Sequence, residues 1–236
     1  MKTQVLLDFA SVSFSYSKIP VLSEVDLTVR SGEVEGFLGA NGSGKTTSFL
    51  LATGLLQAHS GEIRVVGFEP RKSKQWCYRV GVLTARAGLY PRLTVKRNLA
   101  FFAELYSSRI DLEAHIVQHG LQEFTNKPAG QLSQGYLRRL SLARATIHQP
   151  ELLLLDEPAD GLDPRATEEL HQYLKKFSEN GGGVLLTSHR LDEVERICDR
   201  VSLLDKGEIR LSGTPEELLS SGHKQSLREL LLSWPK

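Results

Sequence analysis

Hydrophobic positions along the chain follow two periods. Val25, Leu27 and Val29 alternate with polar neighbours, the pattern of a half-buried strand. LLLL at 152–155, VLLT at 184–187 and VSLL at 201–204 are continuous apolar runs and predict strands buried on both faces. The run GEVEGFLG at 32–39 predicts another strand, leading into a glycine-rich turn and a helix. Leu170, Tyr173, Leu174 and Phe177 recur at i, i+3, i+4 and i+7, one buried face of a helix. Strands alternating with helices predict a largely parallel sheet covered on both sides. From about 84 to 149 the texture changes to helix without strands, with Val95, Leu99, Phe102 and Tyr106 on one stripe. That segment predicts a helical subdomain inserted into an α/β core. Near the end, Thr214-Pro215-Glu216-Glu217 is a capping box with proline at the first helical position. Ser226 and Glu229 suggest a second, opening a short helix with Leu227, Leu230, Leu231 and Trp234 on a face expected to pack on its own domain.

Composition narrows the class. Of 236 residues, 40% are hydrophobic and 24% charged, which argues against disorder and against a fibrous repeat. Lys plus Arg number 29 against 28 Asp plus Glu, so no overall positive field draws nucleic acid, and no nucleic-acid partner is expected. The two cysteines, Cys77 and Cys198, form no CxxC pair, which excludes a disulfide scaffold and a structural zinc site. No run approaches eighteen apolar residues, and the N-terminus lacks the apolar core of a secretory signal. The expectation is a single soluble, cytoplasmic domain whose membrane business, if any, belongs to another polypeptide.

The sharpest chemical signal is Gly39-Ala40-Asn41-Gly42-Ser43-Gly44-Lys45-Thr46, which fits G-x-x-x-x-G-K-[ST]. It sits between the predicted strand and helix, where this chemistry requires it. Glycines let the backbone turn N–H groups toward phosphate oxygens, and the helix N-terminus adds positive partial charge. Lys45 is placed for the β- and γ-phosphates and the Thr46 hydroxyl for Mg²⁺. The motif implies a nucleoside triphosphate.

A second element is the buried run at 152–155 ending in Asp156-Glu157. Adjacent strand residues face opposite ways, so the two acids are expected to differ in role. Asp156 suits the metal; Glu157 suits the attacking water, as base or orienting group. His189 follows the run at 184–187, at the carboxyl end of a predicted parallel strand where α/β sheets bind ligands. Asp111, His115 and His119 share a helical face, read here as a solvated face in preference to a metal site.

These residues resemble the nucleotide-binding subunits of ATP-binding-cassette (ABC) transporters over roughly residues 4 to 220. Leu132-Ser133-Gln134-Gly135-Tyr136, followed by LRRLSLARA, resembles the family's LSGGQ signature and its helix. Asp160-Gly161-Leu162-Asp163 resembles its D-loop, His189 its switch histidine, and Tyr16 the aromatic that stacks on adenine. The resemblance implies an ABC cassette of the P-loop NTPase class: a RecA-like core, an N-terminal antiparallel β subdomain and an inserted helical subdomain. The expected divisions are 1–83 and 150–220 for core and β subdomain, 84–149 for the helical signature subdomain, and 221–236 for a helical tail.

It also implies ATP and Mg²⁺ as ligands. Tyr16, Gly39, Asn41, Gly42, Ser43, Gly44, Lys45, Thr46, Thr47, Ser133 and Gly135 would contact nucleotide, Thr46 and Asp156 the metal, and Glu157, His189 and Asp163 would serve catalysis. Two cassettes, identical or different, would sandwich two ATPs head to tail, with Ser133 and Gly135 reaching the partner's nucleotide. GLYPRLTVKRNLAFFAELY and LSGTPEELL resemble ABC-2-type export subunits, implying a separate polytopic permease and a place on the cytoplasmic face of its membrane. One departure stands out: Ala85 occupies the position where the family usually has a glutamine leading into the helical subdomain. That leaves an alternative, a slow or regulatory ATP-binding subunit paired with a more active cassette. Glu35, inside an apolar strand, has no explanation in the sequence.

Overall fold

The computed structural model describes residues 4–84 and 88–222 and, beyond them, Ser226, Leu227 and Glu229. Two sheets form the frame. Strands β1 (Val5–Tyr16), β2 (Ile19–Arg30) and β4 (Ser60–Val65) make an antiparallel sheet ordered β2-β1-β4. The second sheet adds β3 (Val34–Leu38), β5 (Val80–Leu83), β6 (Leu152–Leu155), β7 (Gly183–Leu186), β8 (Arg200–Asp205) and β9 (Glu208–Gly213), ordered β5-β6-β7-β3-β8-β9. All its pairs are parallel except the β8–β9 hairpin at one edge. Lys206-Gly207 turns that hairpin with both residues at positive φ, so β9 returns antiparallel without a crossover helix.

The apolar runs are continuous because both faces of the sheet are covered. Leu152 and Leu154 point into the core beneath the antiparallel sheet, Leu153 and Leu155 into the opposite core, and all four are fully buried. The first core takes α1 (Lys45–Ala52); the second takes α5 (Pro164–Glu179), α6 (Leu191–Ile197) and α7 (Pro215–Gly222). A third core holds α2 (Val95–Leu105), α3 (Leu112–Gln118) and α4 (Gln134–Thr146), with Val95, Leu99 and Phe102 buried along the predicted stripe.

Helix ends follow the sequence chemistry. Thr214 Oγ1 accepts from Glu217 N at 3.1 Å while Glu217 Oε2 accepts from Thr214 N at 2.8 Å, closing the predicted capping box on α7. In the tail, Ser226 Oγ accepts from Glu229 N at 3.2 Å and Leu227 is buried in the second core; Leu230, Leu231 and Trp234 lie outside the described residues. Among the described residues no helix is long and apolar enough to cross a membrane.

One expectation is overturned. His115 and His119 are not a solvated face: they are 3% and 5% exposed. His115 Nε2 lies 2.8 Å from the Ala143 carbonyl, and His119 Nε2 lies 3.2 Å from Thr146 Oγ1. Burial pushes the His119 imidazole down to about 3, so it packs as a neutral ring. Asp111 instead caps α3, its Oδ1 accepting from Glu113 N and Ala114 N. Among the described residues no His, Cys, Asp and Glu group is arranged to hold a metal ion by itself.

Candidate functional site

Strand order builds the site. β7 lies between β6 and β3, so the segments leaving the carboxyl ends of these three strands are neighbours. They are the glycine-rich loop after Leu38, Asp156-Glu157 after Leu155, and Thr187-Ser188-His189 after Leu186. Residues 39–46 curl over the end of β3 and enter α1 at Lys45. Gly42 takes φ +83°, and Gly44 takes φ +117°, where an added Cβ would lie 2.6 Å from Leu22. Both positions need glycine.

Lys45 Nζ donates to the carbonyls of Gly39 at 2.6 Å and Ala40 at 3.0 Å, which holds the ammonium across the loop. Burial pulls its pKa down, and the Glu157 and Asp156 carboxylates oppose that shift. Ser43 Oγ is buried with no hydrogen-bond partner. An added Cβ at Gly39 would sit 2.5 Å from that same oxygen. An unpaired hydroxyl inside a concave backbone loop, beside a desolvated cation, fits a phosphate group. Asn41 and Thr46 are exposed at the loop, whereas Thr47 is buried beneath it. The Thr46 hydroxyl and the Asp156 carboxylate are hard oxygen donors of the kind Mg²⁺ takes.

The two carboxylates diverge for a reason other than strand alternation. β6 ends at Leu155, and Glu157 has a left-handed backbone at φ +49°. Thr187, fully buried, ties them together: its Oγ1 donates to Asp156 Oδ1 at 2.8 Å and accepts from Glu157 N at 2.9 Å. Glu157 Oε2 then reaches His189 Nδ1 at 2.9 Å and accepts from His189 N at 3.3 Å. Thr187 escaped the sequence reading; its signal is its place, the first residue beyond a fully buried strand and next to Ser188-His189.

Other candidates lie apart from this cluster. Tyr16 ends β1 as an exposed residue, its ring edge-on to Phe14 at 4.9 Å. Ser133 caps α4, and Asp163 caps α5 by accepting from Ala166 N at 2.8 Å. Gly135 faces the Gly161 carbonyl, so the signature and the 160–163 loop adjoin. No hydrogen bond among the described residues joins Ser133 or Gly135 to residues 39–47. Ala85 and Arg86 lie outside the described residues.

A glycine-rich loop suited to phosphate, a metal-suited carboxylate and a carboxylate–histidine pair at three adjacent strand ends are the arrangement expected of a P-loop nucleoside-triphosphatase cassette. The family model for ABC transporters matches residues 22–160. ABC transporter ATP-binding protein NatA of Bacillus subtilis (strain 168) is 34% identical over 91% of this chain and 90% of its own length. Nod factor export ATP-binding protein I of Rhizobium meliloti (strain 1021) is 38% identical over 92% of this chain and 67% of its own. Among solved structures, an ATP-binding subunit of an ABC transporter superposes with a TM-score of 0.89 at 26% identity, covering 96% of this chain and 98% of that one. CbiO1 of Clostridium perfringens, part of the transporter complex cbiONQ, gives 0.81 at 26% identity over 98% and 96%. The chain belongs to the ABC transporter family and is an ATP-binding subunit, an ATPase.

Proposed function

We propose that this chain hydrolyses ATP to power export through a separate permease, working as a pair of cassettes at the cytoplasmic face of a membrane. The observation that carries the catalytic part is the Glu157–His189 pair, 2.9 Å apart beside the glycine-rich loop. In this reading Gly39, Asn41, Gly42, Ser43, Gly44, Lys45, Thr46 and Thr47 form the phosphate cradle, and Tyr16 stacks on adenine. Mg²⁺, held by Thr46 and Asp156, would supply charge neutralisation at the phosphate oxygens. Glu157 takes the proton of the attacking water, and His189 holds that carboxylate and the γ-phosphate side in register. Thr187 fixes the backbone from which Glu157 projects. Ser133 and Gly135 act on the nucleotide of the facing cassette, and Asp163, in the loop beside Gly135, communicates between the two sites.

Export is supported by the Nod factor export relatives, and an assembly with membrane subunits by the resemblance to a member of the cbiONQ complex. The Glu157–His189 pair favours an active subunit over the slow, regulatory alternative raised by Ala85. The test combines both parts. Tagged Glu157→Gln protein, incubated with MgATP in gently solubilised membranes, is expected to retain ATP, cease hydrolysis and capture a polytopic membrane protein. Parental hydrolysis by this variant rejects Glu157 as the base. Capture of a second, different cassette would make the pair asymmetric, and its absence would favour two identical cassettes.

A further inference from the structure

Arg138 lies on α4, one turn beyond the signature, and its guanidinium spans the gap between the helical subdomain and the sheet. Nε donates to the Pro158 carbonyl at 3.1 Å and Nη1 to the Thr84 carbonyl at 3.1 Å. Nη2 donates to the carbonyls of both Asp156 and Glu157. One side chain thus holds three successive carbonyls of the loop after β6, together with that of Thr84, the residue after β5. All five guanidinium donors lie in one plane, which lets a single group engage several carbonyls at once; an ammonium has no such fork.

Packing around this bridge is open. A cavity of about 240 Å³ lies beside it, lined by Arg138, Leu83, Leu142, Pro158, Leu162 and Leu170. Leu142 and Ala145, farther along α4, pack on Leu83 in the second core, while at the signature end of the helix the guanidinium ties α4 directly to the loop. The loop so gripped carries the left-handed Glu157, whose backbone direction aims its carboxylate at His189. Burial disfavours the charged guanidinium, and the negative charge of Asp156, Asp160 and Glu157 opposes that cost in part.

We infer that Arg138 is a positioning residue for hydrolysis: it couples the placement of the signature helix to the orientation of Glu157, and so sets the turnover rate without holding nucleotide. The inference rests on Glu157 being the catalytic carboxylate, a reading that Glu157→Gln tests separately.

The experiment measures kcat, KM and fluorescent-ATP affinity for Arg138→Gln and Arg138→Lys, with hydrogen exchange of the 156–160 amides. Arg79→Gln is the control, since it breaks the double hydrogen bond to Glu151 at the opposite ends of β5 and β6. The expected result for Arg138→Gln is a fall in kcat of at least tenfold, with ATP affinity and KM within about threefold of the parent and faster exchange at 156–160. Arg138→Lys should retain an intermediate kcat, and Arg79→Gln should melt earlier with kcat per folded molecule unchanged. Parental kcat in Arg138→Gln, equal losses of kcat and affinity, or a kcat loss matched by Arg79→Gln would each overturn the inference. Failure of both Arg138 variants to fold would assign the residue to stability and overturn it as well.

Discussion

At the scale of single residues, the site depends on hydrogen bonds that no apolar substitute can supply. Lys45→Ala removes a charged donor from a partly desolvated loop. Such a bond contributes about 1.5–3 kcal/mol, so ATP should bind roughly ten- to hundredfold more weakly in equilibrium titration. Thr187→Val keeps the shape of a fully buried side chain but strips Asp156 Oδ1 and Glu157 N of their shared partner. A buried polar group left unsatisfied costs about 1–3 kcal/mol, so urea melts should shift by that order. Its kcat should fall more than its ATP affinity, because the damage lies at the carboxylates and not at the phosphate loop. That the loop glycines, Lys45 and the acidic pair would meet at one end of the sheet was legible in the sequence, because phosphate chemistry prescribes residue type and spacing. Thr187 and Arg138 were not: each acts through main-chain groups, and a residue that bonds carbonyls or amides leaves no motif of its own.

At the scale of elements, Glu35 shows what an apolar run conceals. It lies on β3, 1% exposed, on the same strand face as Phe37. Neither carboxylate oxygen has a partner at full hydrogen-bond geometry, and the Ser202 hydroxyl, which donates to Ser212, lies close enough to temper the effect of burial without cancelling it. Arg200 Nε stands 3.9 Å away and is shared with Glu33 at 3.5 Å. Burial raises the Glu35 pKa from 4.5 to about 7. A carboxyl whose folded pKa is raised holds its proton more tightly when folded, so the sign is fixed. Stability is unaffected by this group below about pH 4.5, falls as pH rises from 4.5 to 7, and stays lowered above that. The full effect is about 3 kcal/mol. Glu35→Gln, nearly the same shape and never charged, should flatten that slope and make the protein more stable than the parent at pH 8. Melts at pH 5 and pH 8 check it, and equal pH dependence in both proteins would reject the assignment. Strands and caps were readable from period and end chemistry. The antiparallel return of β9 and the inward turn of His115 and His119 were not. The first is decided by the turn at Lys206-Gly207, the second by α4 packing against α3, and periodicity encodes neither.

At the scale of the whole molecule, the phosphate loop and the signature belong to different bodies of the chain. The loop issues from the central sheet, while Ser133 and Gly135 open α4 in the helical subdomain, with no hydrogen bond between the two sets. If each nucleotide is completed by the signature of a second cassette, a damaged loop on one chain and a damaged signature on another fall in the same site. Their partner site is then intact. Lys45→Ala and Ser133→Arg proteins, each inactive alone, should recover hydrolysis when mixed in equal amounts. Recovery should reach roughly a quarter of parental turnover, because half the dimers are mixed and each has one sound site of two. Turnover should also rise more than linearly with protein concentration while the pair is forming. Sites completed within one chain predict the opposite, because each variant then carries its own defect into every site and mixing restores nothing. The rescue experiment therefore separates shared from self-contained sites without knowledge of the permease or the cargo. Arg138 gives the sharing a mechanical consequence, since the helix that would reach across to the partner's nucleotide also grips, through one guanidinium, the loop carrying its own chain's Glu157.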